Sequence, residues 1–128
     1  MKLGYVIHYV PDVAATVAFY EKAFGLAPRF VHDSGTYAEM DTGATALAFA
    51  AEQMVADQGA TFRRLRPDET PPAIEIALVT EDVRAAYATA IAAGAVPLLP
   101  PKEKPWGQMV GYLRDLNGAL VEICSPMG

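Results

Sequence analysis

The sequence predicts an α+β fold of two pseudo-symmetric βαβββ modules, their strands forming a curved mixed sheet around a cleft and their helices lying on the outer face. Three observations carry this. A strand-like run leading into an Asp-capped apolar helix occurs twice, with Asp12-Val13 recurring as Asp82-Val83 about seventy residues later. Each helix is followed by short apolar runs separated by turn residues. The chain has 128 residues, the length of one compact domain able to bury a core. Module 1 is placed at about 1–51, a linker at about 52–72 and module 2 at about 73–128 of a single domain.

The first strand runs from about Leu3 to Val10, where "YVIHYV" alternates in the two-residue period of an extended chain. Asp12 then offers a side-chain oxygen to the free amides of a helix. Val13, Val17, Tyr20 and Phe24 recur at helical spacing, and Gly25 stands where a left-handed residue ends a helix. Strands follow near Pro28 to His32, Thr36 to Asp41 and Thr45 to Ala50. The linker has mixed charge and closes on Pro71-Pro72, with room for one helical turn. In module 2, "IEIALVTEDVRAAYATAIAAG" repeats strand, cap, helix and terminal glycine. Strands are expected at Val96 to Leu99, Gln108 to Arg114 and Ala119 to Ser125, with Asn117-Gly118 as a two-residue hairpin turn. Sliding the halves until Gly43 meets Gly118 brings Tyr37 onto Tyr112 and Leu47 onto Glu122.

Composition narrows the function. With 52% apolar and 20% charged residues the chain reads as globular, and no apolar run reaches the length of a membrane span. The start carries one basic residue before a strand-like run, so no signal peptide is expected. A net charge of −5 argues against a nucleic-acid surface, and Arg63, Arg64 and Arg66 sit beside Asp68 and Glu69 rather than in a basic stripe. A single cysteine, Cys124, closes no internal disulfide and points to the reducing cytoplasm.

Strand parity separates two faces. Val6, Val10, Ile76, Leu78, Val121 and Ile123 form aliphatic sets that should pack under the helices, and His8 shares that parity as a core histidine. Tyr5, Ile7, Tyr9, Glu75, Ala77, Val79, Leu120, Glu122 and Cys124 fall on the other face. Such a mixture of aromatics and carboxylates suits a partly apolar ligand pocket.

The doubled pattern, "FYEKAFGL" from Phe19 to Leu26 and "WGQMVGYLRDLNGALVEI" from Trp106 to Ile123 resemble the vicinal-oxygen-chelate superfamily of glyoxalases, bleomycin-resistance proteins and dioxygenases. The resemblance implies paired halves forming a cleft, often across a homodimer, and in many members a divalent metal. The positions matching the family's ligands are Tyr5, Leu47, Glu75 and Glu122. Of these only Glu75 and Glu122 are ordinary metal ligands; hard Mg²⁺ or Mn²⁺ could sit on the two carboxylates with waters, whereas Zn²⁺, Ni²⁺ or Fe²⁺ would want imidazole.

Two functional readings follow. In the first, which the missing imidazoles favour, the protein is a metal-free small-molecule-binding protein of the drug-resistance type. It holds an amphipathic or cationic ligand among Tyr5, Tyr9, Tyr37, Leu47, Trp106, Gln108 and Tyr112, with Glu75 and Glu122 supplying charge. In the second it is a glyoxalase-type lyase or isomerase with one divalent metal on Glu122 and Glu75, and these two are its catalytic candidates. Glu122 could alternatively form a structural salt bridge with Arg114. Trp106 is either a ligand contact or a plug over a hydrophobic edge, and Cys124 reads as a small buried hydrophobe.

Overall fold

The computed structural model of the chain describes residues 1–127. The elements run β1 (Tyr5–Val10), α1 (Val13–Phe24), β2 (Pro28–Val31), β3 (Tyr37–Met40), β4 (Ala46–Ala51), α2 (Glu52–Asp57), β5 (Glu75–Val79), α3 (Val83–Ala92), β6 (Val96–Glu103), β7 (Met109–Arg114) and β8 (Leu120–Cys124). They divide into two compact units, Met1–Leu65 and Arg66–Gly128. The stretch read as a linker is thus shared between them, and α2 occupies its start.

Each unit holds a four-stranded mixed sheet, ordered β1-β4-β3-β2 in the first and β5-β8-β7-β6 in the second. In each the first strand runs parallel to the last, so the chain must cross over, and the capped helix is that crossover. The caps act as the sequence implies. The Asp12 carboxylate accepts from the Ala15 amide at 2.9 Å and that of Asp82 from the Ala85 amide at 3.1 Å. Gly25 ends α1 at φ 67°, left-handed, with its amide donating back to Glu21.

The helix-facing sides form the cores. In the first unit Val13, Thr16, Val17, Tyr20 and Ala23 of α1 are buried, with the Tyr20 ring 4.9 Å from that of Phe49 on β4. In the second, Val83, Tyr87 and Ala90 of α3 are buried, as are Leu113, Val121 and Ile123 on the strands. Each such large apolar side chain contributes about 1.5–3 kcal/mol by leaving water.

Two local expectations give way. Strand β6 continues to Glu103, through Pro100 and Pro101, because it is the sheet edge and its pairing with β7 is broken by irregularities around Leu99. The Asn117-Gly118 pair does not make a two-residue turn: only glycines have positive φ, so Asn117 cannot supply the required backbone. Instead Gly118 donates to the Asp115 carbonyl at 3.1 Å and Asp115 to that of Ala119 at 2.9 Å, a three-residue loop closed by a glycine bulge. The buried Asp115 carboxylate fixes it by accepting from Asn117 and Ala119 at 2.8 and 2.9 Å.

Candidate functional site

Residues paired across neighbouring strands project to the same side. The registers Ala77 to Glu122 and Tyr112 to Glu122 therefore put Glu75 and Ala77 of β5, Glu122 and Cys124 of β8, and Tyr112 of β7 on one face of the second sheet. Glu122 is the hub of this group. Glu75 lies two residues along from the partner of Glu122 and on the same face. Burial, then the hydrogen bond to and charge of Glu122, raise the Glu75 pKa. Because the Glu75 side chain stays open to solvent, screening keeps the energetic consequence small.

Tyr112 is half-buried and pairs with Glu122 across the strands, and its pKa is raised by burial first and then by the charges of Glu122 and Glu75. The buried Cys124 thiol is pushed up to about 11, by burial and then by its hydrogen bond to Glu122. A thiol so protonated at neutral pH is no nucleophile. The ammonium of Lys104 lies 5.6 Å from the centre of the Tyr112 ring, within cation–π range.

Arg114 does not pair with Glu122. The register sets it opposite Leu120, and its guanidinium donates to the carbonyls of Gly118 at 2.9 Å, Arg66 at 3.2 Å and Glu69 at 2.6 Å. The salt-bridge reading of Glu122 through this arginine is overturned.

Trp106 is 62% exposed on the loop between β6 and β7 and plugs no core. Its indole N–H donates to the Gln108 side-chain oxygen at 2.9 Å, and the Gln108 amide donates to the Ser125 carbonyl at 2.9 Å. Gln108 is thus a bracket holding the loop to the end of β8.

In the first unit the corresponding face holds Tyr5, Ile7 and Tyr9 of β1, Ala46, Ala48 and Ala50 of β4, and Tyr37 and Glu39 of β3. The Tyr37 hydroxyl donates to Glu39 at 2.8 Å, and its pKa rises to about 12, through burial and then through Glu39. Tyr9 meets Phe62 edge-on at 4.9 Å. Leu47 is not on this face. It pairs with Val6, shares the helix side with Phe49 and is buried, so its assignment as a ligand contact and as the match of Glu122 is corrected. The Asp caps equate Tyr5 with Glu75. Tyr5 pairs with Ala46 and Glu75 with Leu120, which makes Ala48 the counterpart of Glu122. Matching the hairpin glycines had slipped the strand by one residue, which reverses its faces. The same count equates Glu39, not Tyr37, with Tyr112.

The four positions that the resemblance assigns to a metal therefore carry Tyr5, Ala48, Glu75 and Glu122. Among the described residues no three His, Cys, Asp or Glu side chains converge. Two neighbouring carboxyl groups, with no imidazole or thiolate in support among the described residues, do not fit a Zn²⁺, Ni²⁺ or Fe²⁺ centre. Sequence reasoning missed Glu39 and Lys104. Glu39 was findable two residues from Tyr37, hence on its face; Lys104 sits in an irregular loop where parity gives no direction.

A model of the Glyoxalase/Bleomycin resistance protein/Dioxygenase superfamily matches residues 2–123. No curated protein matches the chain. Among solved structures, a glyoxalase-related enzyme from Fulvimarina pelagi superposes with a TM-score of 0.83 at 22% identity, covering 98% of this chain and 88% of that one. A glyoxalase/bleomycin resistance protein/dioxygenase family enzyme from Burkholderia phytofirmans PsJN gives 0.78 at 23% identity, covering 98% of both chains. TioX from Micromonospora sp. ML1 gives 0.73 at 21%, again over 98% of both. At these identities the likeness speaks for the fold.

Proposed function

The chain belongs to the glyoxalase, bleomycin-resistance protein and dioxygenase superfamily, and from that premise we propose that it is a metal-free binding protein for an amphipathic or cationic small molecule. The observation that supports this reading is the grouping of Tyr112, Glu75 and Glu122 on one sheet face, an aromatic wall beside a carboxyl pair, with no imidazole nearby to recruit a transition metal. A cation approaching this face would gain from the Tyr112 ring and from the two carboxyl groups. Tyr5, Tyr9 and Tyr37 give the first sheet a second aromatic surface.

The test pairs elemental analysis of protein purified without added metal with titration of phenyltrimethylammonium into the parent and into a Glu75→Gln, Glu122→Gln double variant. The reading expects substoichiometric metal, and at least about tenfold weaker binding by the double variant, a loss of 1.4 kcal/mol. One equivalent of a divalent metal held by the parent and lost by the variant would instead establish the lyase reading.

The same proposal includes a homodimer in the cytoplasm. Supporting the dimer, β1 and β5 are sheet edges on which Tyr5, Ile7 and Val79 are exposed, surface that a twofold mate would cover. A monomeric mass by light scattering at high micromolar concentration would refute it. Among the described residues no helix is long and apolar enough to cross a membrane.

A further inference from the structure

Lys104 occupies the ground that a cationic ligand would take. It stands at the start of a tight turn, where its carbonyl accepts from Gly107 at 2.8 Å and its amide donates to Gln108 at 2.8 Å, so the backbone carrying the side chain is fixed. The side chain is half-buried, unlike those of its exposed neighbours Lys102 and Glu103. Among the described residues it has no ion-pair partner within 4.0 Å. What it has is the face of Tyr112, at 5.6 Å, and that ring shares a sheet face with its cross-strand partner Glu122.

From this placement we infer that Lys104 is a tethered competitor, an internal cation that rests on Tyr112 and must be displaced when a cationic ligand binds, so that it sets the affinity threshold of the site. The inference rests on the cation-binding reading above and adds a residue that weakens binding rather than contributing to it. A ring quadrupole presents each face to one cation at a time, and two positive charges over it repel. Removing the tethered charge therefore frees the face for the ligand.

The experiment titrates phenyltrimethylammonium into the full-length protein by NMR at constant ionic strength. Lys104→Met and Lys104→Gln should each tighten binding about twofold to fivefold, the range of one exposed cation–π contact, and Lys104→Arg should rescue the parental affinity by returning a cation to the ring. Melting curves check that all variants are folded. Unchanged or weakened binding in Lys104→Met, while Glu122→Gln still weakens it, overturns the competitor role and leaves the binding site standing. Loss of all dependence on Glu122 defeats both readings together. Benzenesulfonate is the opposite probe: affinity for it that depends on Lys104 would make the lysine an anion contact and also overturn the inference.

Discussion

The two units repeat one backbone plan yet give equivalent positions opposite chemistry. Where the second unit has Glu75, Glu122 and Tyr112, the first has Tyr5, Ala48 and Glu39. On this face of the first unit the carboxylate of Glu39 is occupied by the neighbouring Tyr37 hydroxyl, while the same face of the second carries two carboxyls, a phenol and a thiol. A duplicated scaffold has thus kept its caps and crossovers, which both halves need in order to fold, and has placed the paired carboxyls of this face in one half.

The harshest way to break this asymmetry is to transplant the acid. Ala48 is fully buried, so Ala48→Glu places an unpaired carboxylate near Glu39 and should cost at least about 3 kcal/mol in urea unfolding. A loss below about 1 kcal/mol would mean that the first sheet tolerates the second sheet's chemistry.

The hairpin glycines sharpen the contrast next. Gly43 and Gly118 have φ of 91° and 90°, but a Cβ at Gly43 meets open space, whereas at Gly118 it collides with the Arg66 backbone and the Arg114 guanidinium. Gly43→Ala should cost about 1–2 kcal/mol for the left-handed backbone alone. Gly118→Ala should cost roughly 2–4 kcal/mol, because it also breaks the Arg114 contacts. Equal losses for the two would show that the arginine contacts are incidental.

A smaller effect separates the carboxyls by pH. The folded pKa of Glu75 is raised, so its stabilising contribution is fully present below the unfolded value of about 4.3 and is lost as pH rises through the folded value. Glu75→Gln should therefore be the more stable protein at pH 7, by less than about 1 kcal/mol after screening, with the advantage gone near pH 4. Melting curves between pH 4 and pH 7 that stay parallel would remove the coupling of Glu75 to stability. Smallest of all, Trp106→Ala should change stability by under about 1 kcal/mol, since the ring is already mostly in water. A loss of several kcal/mol would restore its reading as a plug.

The fold was legible because its signals are local. Asp12, Asp82 and Gly25 announce helix ends within a few residues of where they act. The second sheet's face was legible for the same reason, since Glu75 and Glu122 follow from strand parity. Register was not. It depends on hydrogen bonds between strands, and the Thr42-Gly43 and Asn117-Gly118 turns differ by one residue in how their hairpins close. That single residue moved Leu47 to the wrong side. The direction of Arg114 was equally hidden, because its partners are backbone carbonyls of a segment with no sequence pattern of its own.

Cys124 makes the molecule its own stopwatch. With its thiol pKa pushed up to about 11 and only 3% exposure, the cysteine is protonated and sheltered at pH 7. An alkylating reagent must therefore wait for the end of β8 to open, whereupon the thiol returns to ordinary reactivity. The rate of labelling at this one site counts opening events in the second unit directly, without a fluorophore or an engineered probe.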